Sequence, residues 1–219
     1  MLIDPKFYVL ADLIRKELPR GKLEDDGANL PKLGAVVAMA GDGDHLDIGT
    51  GFGASAIMAA MVKREFKHEG NVYCVDPYSY PPDAPKENLP GAGALNENAV
   101  HFGLTDRLVL TPLPSYPIPV DIDNHKFVSA YLDGDKNGMA PWLDFLSARG
   151  LAEKFLSFNG FEEFHPGVMV AALRALTVGG WILHWKDGTF LNMRRPVDFS
   201  DYMKLPDAEK AKRRQASHV

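Results

Sequence analysis

Apolar residues first recur at helical spacing near the start of the chain. Leu10, Leu13, Ile14 and Leu18 form one stripe, which ends before Pro19 and Gly21. Polar residues from Gly21 to Asn29 predict a loop, and Pro31 to Ala40 predict a short apolar helix, stopped at Gly41. From there strands and helices alternate. Leu46 to Ile48 is a short buried strand running into a glycine-rich turn. After it Ala54, Ile57, Met58, Met61, Val62 and Phe66 mark an amphipathic helix. Val72 to Val75 is the second strand, ending at Asp76. A loop from Asp76 to Gly93 carries five prolines, at 77, 81, 82, 85 and 90. It is long for an ordered connection, which suggests a lid or substrate loop.

Ala94 to Phe102 predicts a helix, Arg107 to Thr111 a third strand and Phe127 to Leu132 a fourth, ending at Asp133. The stretch from Lys136 to Glu163, with Trp142, Phe145, Phe155 and Phe158, reads as mostly helical, so residues 137–163 are expected to be a helical insertion after strand 4. Met169, Ala172, Leu173 and Leu176 mark a further helix, terminated by Gly179 and Gly180. Trp181 to Leu183 is then the fifth strand. Strands and helices alternating at these lengths predict an α/β fold: a doubly wound, mostly parallel sheet with helices on both faces and an N-terminal helical extension, residues 1–40.

Composition narrows the class without changing this outline. With 219 residues, 46% hydrophobic and 24% charged, the chain is expected to be one globular domain over residues 1–203, with a polar basic tail at 204–219. No apolar run approaches the ~20 residues a membrane span requires. No basic region followed by an apolar stretch opens the chain, so no secretory signal is expected. A net charge of -5 argues against duplex nucleic acid as a partner. The single cysteine, Cys74, excludes an internal disulfide and fits a reducing compartment, so a cytoplasmic location is expected.

The most informative segment is Asp47-Ile-Gly-Thr-Gly-Phe-Gly-Ala-Ser55. Gly49, Gly51 and Gly53, placed between a strand and a helix, let the backbone pass close to a ligand without Cβ clashes. The helix behind them offers free N–H groups to a polar or anionic group. Asp47 can orient the glycine loop or accept hydrogen bonds from an ammonium group. Asp76 stands where an acid takes both hydroxyls of a ribose. A nucleoside-containing cofactor follows, and two remain open. Gly49, Gly51 and Ala54 satisfy a loose dinucleotide fingerprint, which would make the chain an NAD-dependent oxidoreductase.

The other reading rests on a resemblance. Asp-x-Gly-x-Gly-x-Gly from Asp47 to Gly53, preceded by helices, resembles motif I of class I S-adenosylmethionine-dependent methyltransferases. Tyr73-Cys-Val-Asp76 is similar to their second strand with its ribose-binding acid. Tyr131-Leu-Asp-Gly-Asp135 resembles the fourth-strand motif of a small-molecule and sugar O-methyltransferase-like subgroup, and Leu173 to Leu183 resembles that subgroup's helix and fifth strand. The likeness spans Leu30 to Trp185. It implies a Rossmann-like fold, S-adenosyl-L-methionine as cofactor and methyl transfer to an oxygen of a small molecule or sugar. The residues it implies around the cofactor are Asp47, Gly49, Thr50, Gly51, Gly53, Ser55, Asp76, Pro77, Tyr78, Ser115 and Asp133.

The sequence also departs from that pattern. The third strand runs into Pro112-Leu-Pro-Ser115 where the family commonly has an acid near the adenine amino group, leaving Ser115 or backbone groups to read the base. Lys136 stands where a histidine is usual, and only about 30 residues follow the expected fifth strand, tight for a closing pair of strands. Candidate bases at the strand ends are Asp133, Asp135, Lys136, His184 and Asp187. His184 is the most attractive for its reference pKa, beside Asp133. A divalent metal is not favoured, although Asp133, Asp135 and Asp187 could supply oxygen ligands. Tyr78 and Tyr80 are placed to stack on adenine or acceptor, or simply to pack on the neighbouring loop. A catalytically inactive scaffold or binding module and a homo-oligomer both stay open.

Overall fold

The computed structural model describes residues 2–21, 27–78 and 90–196. In chain order the elements are α1 (Pro5–Glu17), α2 (Leu30–Ala40), β1 (Asp44–Ile48), α3 (Ala54–Glu65), β2 (Val72–Val75), α4 (Ala92–His101) and β3 (Leu108–Thr111). There follow α5 (Val120–Asp123), β4 (Phe127–Leu132), α6 (Ala140–Ala148), β5 (Ala152–Phe158), α7 (Pro166–Thr177), β6 (Ile182–Asp187) and β7 (Phe190–Arg194). The strands form one seven-stranded sheet in the order β3-β2-β1-β4-β5-β7-β6. The first five are parallel, while β7 runs antiparallel to both β5 and β6. The mostly parallel sheet with helices on both faces is thus as the sequence predicts. Among the described residues no helix is long and apolar enough to cross a membrane.

Alternation along the strands sends neighbouring side chains to opposite faces. On one face Val72, Cys74 and Leu108 pack against α1, α2, α3 and α4. On the other Leu46, Ile48, Val75 and Leu156 pack against α5, α6 and α7. Helix α2 is buried almost all round, since it lies against α1, α3 and the sheet. The stripe predicted for α3 is its core face: Ile57, Met58 and Val62 are sealed, each contributing roughly 1.5–3 kcal/mol by burial.

Two expectations are corrected. The region 137–163 is not a helical insertion, because it holds α6 and then the central strand β5. Phe155 and Phe158, three apart, imitate a helical stripe, and Glu153 beside Lys154 hides the strand alternation. Leu156 to Phe158 is a continuous buried run because both faces of β5 are covered there. In consequence the strand near Trp181–Leu183 is not the fifth. It is β6, the outer edge of the sheet, hairpinned to β7, so the closing pair of strands is present, with a register shift between Leu183 and Trp185. The expected basic tail, 204–219, lies outside the described residues.

Candidate active site

The parallel strand order reverses at β1, with β2 on one side and β4 on the other. Such a switch point leaves a crevice at the carboxyl ends of the strands. A cleft of about 790 Å³ opens there, lined among others by Ile48, Gly49, Thr50, Gly51 and Ser55 from β1 and its turn. Asp76 and Pro77 line it after β2, Ser115 after β3, and Asp133 and Asp135 after β4.

The glycine turn is built for close approach. Gly49 has φ +83°, and a Cβ there would lie 2.4 Å from the main chain of Asp133 and Gly134, so the ends of β1 and β4 touch backbone to backbone. Gly51 has φ +55°, with nothing within 4 Å of where a Cβ would stand. It leaves an open cradle against which a ligand can lie. Ser55 and Ala54, in the first turn of α3, bring helix N-terminal N–H groups to the cleft wall.

Asp76 fixes this turn from the next strand. Its Oδ2 accepts the Gly51 N–H at 2.9 Å, and its Oδ1 accepts the Tyr78 N–H at 2.7 Å. The carboxylate therefore meets the cleft with a set direction. Asp47 is tied to the start of α3. It is fully buried beneath the turn, does not line the cleft, and accepts the Ser55 hydroxyl at 2.6 Å. Burial raises its pKa from 3.8 to about 7, aided by Asp133 and Asp76 and opposed by Ser55. Gly53 and Tyr78 do not line the cleft either, and Tyr80 lies outside the described residues.

At the end of β4, Asp133 Oδ1 accepts from Asn159 Nδ2 at 2.8 Å and faces the Lys136 ammonium at 3.5 Å. Asn159 in turn accepts at Oδ1 from Asn29 Nδ2 at 2.5 Å, and Asn29 also donates to Thr189 at 2.7 Å. Lys32 donates to Asn29 Oδ1 at 3.1 Å. This polar chain joins α2, β5 and the β6–β7 turn to the cleft floor. Sequence reasoning missed Asn29 and Asn159. The signal for Asn159 was its place directly after β5, concealed while that strand was read as helix.

Asp144, also missed, lines the cleft from α6 and is 6% exposed. It accepts the Ser115 hydroxyl, and burial raises its pKa to about 6.

Two further expected residues are not brought to the site. His184 lies on β6, the outermost strand, beside the Phe155 ring at 5.6 Å, and does not line the cleft. Partial burial, then Arg194, lowers its pKa. Its place as a strand-five base followed from the misnumbered strand. Asp187 pairs with Lys32 at 3.7 Å and also lies off the cleft, so Asp133, Asp135 and Asp187 do not converge. Among the described residues no group of three or more His, Cys, Asp or Glu side chains is arranged to hold a metal.

No protein-family model matches the sequence. A search of curated proteins likewise finds no match. Solved structures do match. The O-methyltransferase from Bacillus cereus in complex with SAH superposes with a TM-score of 0.58 at 15% identity, covering 90% of this chain and 93% of that one. The O-methyltransferase NovP gives 0.65 at 13% identity, covering 89% and 98%. CalS11, a TDP-rhamnose 3'-O-methyltransferase of calicheamicin biosynthesis, gives 0.56 at 14% identity, covering 87% and 91%. The fold is the one these O-methyltransferases share.

Proposed function

We propose that this chain is a cytoplasmic S-adenosylmethionine-dependent methyltransferase that transfers the methyl group to an oxygen of a small molecule or sugar. The observation that carries the reading is the clamp of Asp76 on the Gly51 N–H at the β1–β4 switch point, which sets a ribose-competent carboxylate beside an open glycine cradle. The fold shared with the O-methyltransferases supports the same conclusion.

The residues present fit the cofactor. Asp76 would take the two ribose hydroxyls, Gly49 to Gly51 would pass along the amino-acid arm, and Thr50 in the turn and Ser55 at the start of α3 would face it. The cofactor supplies the electrophilic methyl group, and the protein supplies alignment and a base. For the base Asp133 is the choice. It lies at the end of β4 in the cleft, and Asn159 and Lys136 fix its carboxylate direction. It would accept the proton that the acceptor hydroxyl loses as the oxygen is methylated. Asp135, whose Oδ1 accepts from Asn137, is the nearby alternative. The Asn29–Asn159 pair offers amide groups to a hydroxylated acceptor at the same floor.

Isothermal titration with S-adenosylhomocysteine (SAH) and, separately, NAD tests the reading. Micromolar binding of SAH alone is expected, followed by methylation in a screen of hydroxylated acceptors. Binding of NAD alone would make the chain a dinucleotide enzyme. Binding of neither by the folded protein would make the turn a relic and the chain a scaffold.

A further inference from the structure

The loop after β3 reads Pro112-Leu-Pro-Ser115 and carries no acid. An acid reaches the same wall from another element. Asp144 stands on α6, whose first residue, Ala140, also lines the cleft. The Ser115 hydroxyl donates to Asp144 Oδ1, and Ser147, three residues on, donates its hydroxyl to the Ser115 carbonyl oxygen at 2.5 Å. Helix α6 thus grips Ser115 at two points, through side chain and main chain. Asp144 Oδ2 lies beside Gly134, only 2.6 Å from where a Cβ would stand, so any other residue at 134 would displace the carboxylate.

This end of the cleft has a second character. Pro77 follows β2, Pro114 precedes Ser115, and Ala140 opens α6; all three line it. They are apolar wall residues of the cleft that the buried Asp144 carboxylate also lines. A carboxylate 6% exposed, with one hydrogen bond from the described residues, is expensive unless a donor completes its shell. Although burial, with Asp135, Asp133 and Asp76, raises its pKa to about 6, it remains an acceptor above neutrality. A flat ring with an exocyclic amino group suits both the walls and the acid.

We propose that Asp144, held by Ser115, accepts a hydrogen bond from the exocyclic amino group of the cofactor's adenine, so that the base-selecting acid of this protein comes from α6 rather than from the β3 loop. The proposal rests on the cofactor reading above. Asp76 would hold the ribose, and Pro77, Pro114 and Asp144 line the same cleft. The hydrogen-bonding partner of Asp144 belongs to the β3 loop, whereas Asp133 belongs to the Asn159–Asn29 chain. Asp144 is accordingly a specificity residue, distinct from the base.

The test uses SAH and S-inosylhomocysteine, which differs in carrying a carbonyl where adenine has its amino group. Calorimetric titration of the wild type is expected to favour SAH by about tenfold or more, because a charged acceptor left facing a carbonyl loses its bond and gains repulsion. In D144N, nearly the same shape but able to donate as well as accept, the ratio should narrow to within about threefold. S115A should narrow it in the same direction, by freeing the carboxylate from its holder. Equal binding of both ligands by the wild type overturns the proposal and leaves the cofactor reading intact. So does a D144N variant that keeps the wild-type ratio, including one that keeps it while losing turnover. A wild type that binds no SAH overturns both. If D144N does not fold, the wild-type and S115A ratios decide.

Discussion

A methyl group placed on Gly49 has nowhere to go. At φ +83° its Cβ would lie 2.4 Å from the carbonyl carbon and oxygen of Asp133 and from the nitrogen of Gly134. These are main-chain atoms, and they are pinned: the Asp133 N–H donates to Ile48 at 2.8 Å and the Asn159 N–H to Leu132 at 3.0 Å. Relief therefore requires β1 and β4 to separate at the cleft. For Gly49→Ala two penalties add. The left-handed backbone costs an alanine about 1–2 kcal/mol, and crowding a packed position typically costs another 1–3 kcal/mol, about 2–5 kcal/mol together. Gly51→Ala is the control, because at φ +55° it meets only the first penalty, with nothing within 4 Å of its Cβ. Urea unfolding followed by far-UV circular dichroism should therefore rank wild type, Gly51→Ala and Gly49→Ala in falling stability. The gap between the two variants is the crowding alone. For SAH affinity, per unit of stability lost, the order should reverse, since Gly51 faces the cleft and its methyl would intrude on the ligand. Gly49→Ala as stable as Gly51→Ala would refute the backbone contact and the geometry built on it.

Asp76→Ala removes both the ribose acceptor and the tie to the Gly51 N–H, so SAH binding should weaken by about 1–3 kcal/mol, read by calorimetry. Unchanged affinity in the folded variant would take Asp76 away from the ribose. Asp47, with its pKa raised from 3.8 to about 7, keeps a proton in the folded state that the unfolded chain has already lost. Its contribution to stability therefore falls as pH rises between those values and levels off above them. Asp47→Asn cannot ionise, so its denaturation midpoint should lose that part of the decline, and a pH slope equal to that of the wild type would contradict the buried carboxyl. His184→Ala should leave kcat unchanged, since the ring lies on the outer strand. A fall of about 100-fold, the scale of a lost general base, would bring His184 back into the chemistry.

What the sequence disclosed was chemistry that is contiguous along the chain. From Asp47 to Asp76 strand, turn, helix and acid follow one another, and each announces itself through short-range pattern: period, glycine, strand end. Two kinds of feature did not announce themselves. Strand β5 begins with two consecutive exposed charges, Glu153 and Lys154, and ends in the continuous buried run Leu156 to Phe158, with aromatics three apart, so neither half shows a period of two. One hidden strand then shifted the numbering of everything after it, which moved His184 from the sheet edge into the expected site. The second kind is pairing over distance. Ser115 and Asp144 are 29 residues apart and Asn29 and Asn159 are 130 apart, and no local pattern connects them. The missing acid of the β3 loop was correctly read as missing from that loop; that α6 carries one to the same wall is a property of packing alone.

The Asn29 amide has a meaning for the order in which the molecule is made. Asn29 emerges during synthesis well before its partners Asn159 and Thr189, which follow 130 and 160 residues later. The glycine turn and Asp76 can form from the first half of the chain, yet the floor beneath Asp133 closes only when β5 and the β6–β7 turn have arrived. A nascent chain interrupted after α7 would already hold Asn159 but would lack Thr189, the second partner of the Asn29 amide. Translation must reach the β6–β7 turn before the Asn29 amide has both partners.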